Sequence, residues 1–400
     1  MDPLHQAGLS QPAPSVSSTL RRRLLLGLIL FVLASSSAHA QQHWPLWESY
    51  AQYTIDQQGR VIDHSAQDHT TSEGQAYGMF FALVANDRAR FDKILSWTEV
   101  NLASNDLTLH LPSWNWGKGP EGNWRVLDPN PASDADLWMA YDLCEAGRLW
   151  QVPRFQKLGT LMAMRIAQQE VSYVPGLGTT LLSGTVGFHP DDKTWLLNPS
   201  YLPPFLLVYF ASAIPTGPWR SILDSLHPML AQGSGAGFAM DWITAGTDIL
   251  PSISPSQLAS GNREKSPIGS YDAIRVYLWL GISDPATPGL KSLLPLVTGM
   301  STYLKTHVTP PEQVDSSGRI LNPNGPPGFS AAVIPYLRAL GMKSEEKVQS
   351  NRLAATKSSA SGLYGQNAAY YDQNLALFFD GWSEQRFRFT REGTLKVKWR

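Results

Sequence analysis

The chain lacks features that several classes of protein depend on. It has a single cysteine, Cys144, among 400 residues, so no disulfide can form within the chain. Only 16% of the residues are charged, and 32 Lys and Arg residues nearly balance 33 Asp and Glu residues, for a net charge of −1. No basic stripe is visible. These shortages argue against a disulfide-stabilised scaffold, and we expect no nucleic-acid partner.

Motifs that hold metals or phosphates are missing as well. The nine histidines form no HExxH motif and no His/Cys cluster at metal-ligand spacing, and neither an EF-hand loop nor a GxxxxGK run occurs. Gly233–Gly237 has the spacing of a nucleophile elbow, but no strand pattern precedes it, so we interpret it as a loop. We therefore expect no metal and no cofactor.

Long apolar runs are scarce, and the most prominent one lies near the N-terminus. Leu24–Leu33 follows Arg21–Arg23 and precedes Ala38-His39-Ala40, which is the order of a secretory signal peptide. We predict a signal peptide over residues 1–40 and a periplasmic or secreted protein without membrane association after its removal. A retained anchor and export by the twin-arginine route are the alternatives.

Helical periodicity dominates the rest of the sequence. Period-2 alternation is limited to short pieces such as Arg386–Phe389, so we predict an all-α fold with minor strands and a single domain over residues 41–400. About a dozen helices, at roughly 30 residues per helix and loop, fit stacked helical hairpins closing into a double ring, although an open solenoid has the same periodicity. The predicted helices lie near 72–85, 91–102, 134–150, 153–170, 218–232, 271–281, 289–306, 329–340 and 367–382, and the proline-containing segment 198–204 is expected to open a further one. We expect loops at 111–131 and 175–190, and a surface excursion at 343–365.

Tryptophan is abundant, with 14 residues, and several lie in polar surroundings. Trp114 and Trp116 alternate with Asn115 and Gly117, which is unusual for a protein core. Flat indole faces suit the C–H faces of sugar rings. We interpret these two residues and Tyr201 as candidate sugar platforms, with core packing as the alternative for each.

Three distant segments share one pattern, in which a carboxylate closely follows a serine that opens an apolar helical run. The acids are Glu73, Asp134 and Asp272. Serine commonly caps a helix N-terminus, so each acid is expected in a first helical turn, and three such turns can converge on one cleft. Paired carboxylates can cleave a glycosidic bond, because one protonates the leaving oxygen while the other activates water.

These segments resemble the signature sequences of glycoside hydrolase family 8. The likeness covers nearly all of the chain after residue 47 and is greatest to family members encoded with bacterial cellulose synthase. It is carried by SEGQAYGM at 72–79, ASDADLWMA at 132–140, VPGLG at 174–178, NPSYLPP at 198–204, SYDAIRVYLW at 270–279, GFSAA at 328–332 and RFRF at 386–389. The resemblance implies an (α/α)6 barrel and an enzyme that hydrolyses internal β-1,4-glucosidic bonds of cellulose with inversion. It also suggests the cellulose synthase complex as a partner.

The resemblance assigns roles to the three acids. Glu73 matches the general acid and Asp272 the general base, while Asp134 matches an aspartate at the −1 sugar. An exchange of roles between Asp134 and Asp272 stays open, and Asp136 is an alternative to Asp134. Asp142 departs from the small residue that the family pattern has at its position.

Two further residues are candidates for the site. Arg275 lies one turn beyond Asp272, where it can orient that acid, bind a sugar hydroxyl or form a structural ion pair. A helix N-terminus lowers the pKa of a carboxylate, yet an acid catalyst must hold its proton, so something must offset the dipole at Glu73. Tyr77 and Asp134 are the candidates.

Other functions fit the same sequence. Relatives with this fold cleave chitosan, xylan or mixed-linkage glucan, and the acids alone do not separate these substrates. A non-catalytic glucan-binding component of an export machine is the alternative from a different class.

Overall fold

The computed structural model describes residues 43–246 and 267–400. The predicted signal peptide over residues 1–40 lies outside these residues. Within them, the helices are Pro45–Thr54, Ser72–Val84, Arg88–Leu102, Ser133–Leu149, Pro153–Gln169, Pro204–Ala213, Trp219–Gly233, Ala273–Ile282, Leu290–Leu293, Thr298–Leu304, Pro327–Ala339, Lys343–Ala355 and Tyr370–Ser383. Short 3-10 turns cover Pro199–Tyr201, Gly235–Gly237 and Leu294–Val297.

The helices alternate between a buried inner set and a half-exposed outer set. Inner helices bury most of their side chains, polar ones included; they are Ser72–Val84, Ser133–Leu149, Pro204–Ala213, Ala273–Ile282, Pro327–Ala339 and Tyr370–Ser383. Outer helices such as Pro153–Gln169 bury one stripe and expose the other. This alternation of inner and outer helices is the (α/α)6 barrel that the resemblance implies, and the all-α prediction is confirmed.

Aromatic rings fill the centre of the barrel. Trp138 lies 5.2 Å from Phe378 and 5.4 Å from Trp279, measured between ring centroids, and Phe80 lies 5.0 Å from Trp138. These rings come from four different inner helices. Edge-to-face and tilted pairs of this kind add to the stabilisation that burial of their area provides. The core therefore fixes the inner helices relative to one another, and with them the N-terminal turns that carry the acids.

The strands are short and antiparallel. Three form one sheet, Thr70–Thr71, Ser113–Lys118 and Trp124–Pro131, in that order. Another sheet joins Ile320–Asn322, Gln313–Asp315 and Ile268–Gly269. Two-stranded pairs are Val171–Val174 with Gly178–Leu181, Thr194–Leu197 with Ile243–Gly246, and Phe387–Phe389 with Leu395–Val397.

Several sequence expectations are wrong in detail. The tryptophan-rich segment 111–131 is a hairpin, and its first strand, Ser113–Lys118, also pairs with Thr70–Thr71, a partner distant in sequence. Within the predicted loop 175–190, Gly178–Leu181 is a strand that pairs with the neighbouring Val171–Val174, and the other residues are turns, bends or coil. The predicted helix over 289–306 is interrupted by a 3-10 turn that contains Pro295, whose ring cannot continue an α-helix.

Two outer helices do not match the expectations. Lys343–Ala355 lies in the predicted surface excursion 343–365, but it is a helix that packs on Pro327–Ala339. Its buried residues are Gln349 and Leu353. Its largely polar surface hides the amphipathic pattern that identifies helices in sequence. Pro45–Thr54 is a further helix, which is not among the predicted ones. No helix in the described ranges is long and apolar enough to cross a membrane.

Candidate active site

The three acids stand at helix N-termini, but the serines do not cap those helices. Thr71 caps the first helix, where its Oγ1 accepts the N–H of Gly74 at 3.1 Å. Ser133 Oγ instead donates to the carbonyl oxygen of Leu182 at 2.6 Å. Ser270 Oγ donates to the carbonyl oxygen of Glu312 at 2.8 Å. Glu73 and Asp134 therefore lie in first helical turns as predicted, Asp272 lies one residue before its helix, and the predicted capping role of the serines is wrong.

One guanidinium gathers all three acids. Arg275 Nη1 binds Glu73 Oε2 and lies 3.4 Å from Asp134 Oδ2. Its Nη2 lies 2.9 Å from Asp272 Oδ1 and 3.0 Å from Ser200 Oγ. The planar fork of arginine suits such multidentate contact with carboxylates. Arg275 thus connects residues that lie up to 202 positions apart in the chain.

Exposure divides the cluster into two layers. The side chains of Glu73 and Asp272 are 19% and 31% exposed, so a bound ligand can reach both. The side chains of Asp134 and Arg275 are only 5% and 3% exposed. Asp134 and Arg275 therefore form the floor of the site, and Glu73 and Asp272 form two of its walls.

The environment of Glu73 resolves the conflict between helix dipole and acid catalysis. Burial raises the pKa of Glu73 to about 7. The Arg275 charge opposes this shift, while the negative charges of Asp134 and Asp272 add to it. A carboxyl with this pKa is protonated over much of the mildly acidic range. Burial is the main offset to the dipole, with Asp134 as the neighbouring carboxylate that the sequence analysis proposes.

The other two acids also shift upward, for the same main reason. Burial raises the pKa of Asp272, and Arg275 and then the Asn198 side chain lower it. Burial likewise raises the pKa of Asp134, which Arg275 and the backbone N–H of Ala135 oppose. Arg275 therefore keeps both acids closer to the ionised state than burial alone would.

Asp136, the alternative to Asp134, lies outside this cluster. It is fully buried, neither of its oxygens has a hydrogen-bond partner, and burial raises its pKa well above the ordinary value, with Glu170 and Asp134 adding to the shift. An acid that is buried and protonated cannot meet a ligand in the cleft. The geometry favours Asp134 over Asp136 as the group in the site.

The aromatic candidates lie on the hairpin that connects two of the acids. Asn115 pairs with Thr71, two residues before Glu73, and the second strand ends at Pro131, three residues before Asp134. Trp114 is 36% exposed on this hairpin. Its neighbour Trp116 stacks on Trp124, with ring centroids 5.0 Å apart and planes 16° apart. Trp124 is a further exposed ring.

The two tyrosine candidates differ in their surroundings. Tyr201 is partly exposed, and the guanidinium carbon of Arg275 lies 5.6 Å from its ring centroid, so Tyr201 adjoins the acids. The ring of Tyr77 is buried in the core, edge-on to Trp138 and Phe378. Burial raises the pKa of Tyr77 first, followed by the negative charge of Glu73. Tyr77 therefore lies beneath the acids and presents no ring face to the cleft.

Sequence reasoning missed several residues around the site. Asp241 binds the turn that carries Asp272, and Trp242 next to it lies 6.4 Å from Tyr201 between ring centroids. Tyr371 donates its hydroxyl to the carbonyl oxygen of Tyr271 at 2.5 Å. None of these residues follows a serine or repeats a motif, so no local signal marks them.

A cavity of about 940 Å³ lies apart from the acids. Its wall includes Ile282, Ala339 and Trp382, at the C-terminal ends of three inner helices, whereas the acids stand at helix N-termini. None of the three acids lines it. In the described part of the chain, no group of three His, Cys, Asp or Glu residues is placed to hold a metal ion.

The sequence and structure match one family along nearly the whole chain. Residues 20–385 match the model of glycosyl hydrolases family 8. A protein of Escherichia coli O157:H7 named endoglucanase is 43% identical over 375 residues, covering 93% of this chain and 96% of that protein. An endoglucanase of Xanthomonas axonopodis pv. citri is 43% identical over 389 residues, covering 95% of this chain and 97% of that protein.

A solved structure agrees with the fold. The crystal structure of an endo-1,4-D-glucanase from Vibrio fischeri ES114 superposes with a TM-score of 0.80 at 37% identity, covering 89% of this chain and 99% of that one.

Proposed function

The chain belongs to glycosyl hydrolases family 8, and we propose that it is an endo-β-1,4-glucanase that cleaves internal bonds of cellulose chains. One observation carries the proposal: Arg275 holds three carboxylates in one cleft, and burial raises the pKa of one of them, Glu73, to about 7. The similarity to proteins named endoglucanase supports the substrate class.

Glu73 is the proposed general acid. Its carboxyl is partly exposed and protonated below about pH 7, so it can donate a proton to the glycosidic oxygen as the bond breaks. When Glu73 is protonated, its contact with Arg275 loses the attraction between opposite charges. Arg275 then keeps Asp134 and Asp272 as its ionised partners.

Asp272 is the proposed general base. It is the most exposed of the three acids, and its contact with Arg275 at 2.9 Å favours the carboxylate. Glu73 and Asp272 bind different nitrogen atoms of the guanidinium, so Arg275 stands between them. A water molecule activated by Asp272 would attack the anomeric carbon from the face opposite Glu73, which gives inversion.

Asp134 has the proposed role of binding the −1 sugar. It lies on the floor of the cleft, where its carboxylate can accept a hydrogen bond from a sugar hydroxyl and stabilise a distorted ring. Tyr201 adjoins the acids. Trp114 and Trp116 lie on the hairpin that connects the segments of Glu73 and Asp134. We propose these rings as platforms for sugars on either side of the cleaved bond, with Arg275 as a further contact for a hydroxyl.

The cellular setting is proposed on the sequence alone. The N-terminal pattern over residues 1–40 supports export to the periplasm or beyond. The likeness to enzymes encoded with cellulose synthase supports a role in cellulose biosynthesis with the synthase complex as partner. Co-purification of the tagged protein with synthase subunits would test this part separately from the chemistry.

The activity is tested by following reducing ends and viscosity of carboxymethyl cellulose in parallel. An endo-acting enzyme lowers viscosity early, while few reducing ends have appeared, and we expect Asp272→Asn to abolish both signals. Proton NMR of the first product would show the α-anomer for an inverting enzyme. If the native protein cleaved chitosan, xylan or mixed-linkage glucan but not cellulose, the assignment of cellulose as substrate would be wrong. If it bound a glucan but cleaved none of them, the protein would be a glucan-binding protein and not an enzyme.

A further inference from the structure

Asp241 binds both ends of the turn that carries Asp272. Its Oδ1 accepts the backbone N–H groups of Ser270 and Ala273, each at 2.7 Å. Its own N–H donates to the carbonyl oxygen of Ile268 at 2.8 Å. Since Ser270 does not cap the helix Ala273–Ile282, the Asp241 carboxyl supplies the acceptor for the N–H groups at this helix N-terminus.

Other side chains bind the first half of this turn, and Arg275 Nη2 binds the Asp272 carboxylate at 2.9 Å. Ser270 Oγ donates to the carbonyl oxygen of Glu312, and the Tyr271 hydroxyl donates to Glu312 Oε1 at 3.0 Å. Tyr371 donates to the carbonyl oxygen of Tyr271. Within the ranges that the structure covers, Asp241 is the side chain that binds the N–H of Ala273, directly after Asp272. Loss of Asp241 would therefore release the side of the turn next to Asp272 while the first half stays anchored.

Charged and titratable groups surround Asp241 from the neighbouring elements. Burial raises the pKa of Asp241 to about 7, and the charge of Asp272 adds to this shift. The two N–H bonds and Arg275 oppose it. Tyr277 and Tyr371 lie close enough to sense its charge. Asp241 therefore holds its proton over much of the mildly acidic range, and as a neutral carboxyl it still accepts both N–H bonds.

We propose that Asp241 is a positioning residue for the hydrolysis: by binding the backbone on both sides of Asp272, it fixes the direction of the Asp272 carboxylate. This inference rests on the proposed role of Asp272 as general base. Asp241 acts through the turn, and not by contact with the sugar.

Two substitutions test this role. Asp241→Ala removes the acceptor, so we expect kcat on carboxymethyl cellulose to fall roughly tenfold to a hundredfold, with KM within about twofold of the native value. Asp241→Asn keeps an oxygen for both N–H groups and has the shape of the neutral carboxyl. We expect Asp241→Asn to keep kcat close to the native value near pH 6.

Asp284→Ala is a matched control. Asp284 Oδ1 accepts the N–H of Ala286 at 2.8 Å in the turn that follows the far end of the same helix, so this variant removes a similar bond away from the acids. Its kinetics should equal those of the native protein.

Each result has a defined meaning. Native kcat in Asp241→Ala would overturn the positioning role, and a raised KM with unchanged kcat would mean that Asp241 binds substrate. A kcat in Asp241→Asn as low as that in Asp241→Ala would overturn the role of the two N–H bonds. Asp272→Asn is measured alongside, because full activity in that variant would show that the assignment of the base has failed and not the geometry of Asp241.

Discussion

Asp142 should make the protein less stable as the pH rises, and the substitution Asp142→Asn should remove this effect. Asp142 is fully buried, neither of its oxygens has a hydrogen-bond partner, and burial raises its pKa well above 3.8, with the charge of Glu145 adding to the shift. In the unfolded chain the same carboxyl ionises near pH 4. The folded state therefore binds more protons than the unfolded state above that pH.

The sign and size of the effect follow from linkage. When the folded state holds an extra proton, the free energy of unfolding falls by about 1.4 kcal/mol for each pH unit above the unfolded pKa, until the folded group itself ionises. The amide that Asp142→Asn introduces would be an unpaired buried polar group like the neutral carboxyl, so the two proteins should have similar stability near pH 4.

The assay is urea unfolding of the native protein and Asp142→Asn at several pH values between 4 and 8. We expect the difference in unfolding free energy to grow in favour of the variant by about 1.4 kcal/mol per pH unit. Asp224→Asn serves as the control, since Asp224 is 63% exposed beside Arg220 and should show little change of the difference with pH. If the free energies of unfolding of the native protein and Asp142→Asn changed with pH in parallel, the reasoning would be refuted.

Three further predictions concern the cleft. Activity should decline above about pH 7 as Glu73 loses its proton, and the pH profile of kcat/KM would contradict this if its alkaline limb lay near pH 9. Arg275→Met should cut kcat by at least roughly a hundredfold, because Asp134 and Asp272 lose the positive charge that keeps them ionised. Urea unfolding of the same variant should show a free energy of unfolding lower by about 3–5 kcal/mol. Trp114→Ala should weaken binding of cellohexaose in calorimetry with little change in stability, since the ring is partly exposed; unchanged affinity would remove Trp114 from the platforms.

The sequence supported the fold because the helices of the inner ring carry strong local signals. Ser72–Val84 is largely apolar or small, Ser133–Leu149 repeats apolar residues at helical spacing, and the predicted limits of both agree with the structure within about two residues. The polar helix Lys343–Ala355 has no such contrast between its faces, and the hairpin of 111–131 depends on a partner strand about 40 residues upstream. Local patterns do not contain those two features.

The site was predictable in its acids and not in what supports them. Glu73, Asp134 and Asp272 lie where the repeated pattern places them, although the pattern suggested serine caps that do not exist. The turn that carries Asp272 is bound by Asp241, which reaches it only through the fold. The raised pKa of Glu73 depends on burial and on charges from two other segments, 132–140 and 270–279, and spacing along the chain cannot supply either.

The central claim is that Glu73 donates the proton, and a substrate whose leaving group needs no proton tests it most directly. Glu73→Gln should lose roughly 10²–10⁴-fold in kcat on carboxymethyl cellulose. On a 2,4-dinitrophenyl β-cello-oligosaccharide, whose phenolate leaves unaided, the same variant should keep activity close to that of the native protein. An equal loss on both substrates would contradict the assignment of Glu73 as the general acid.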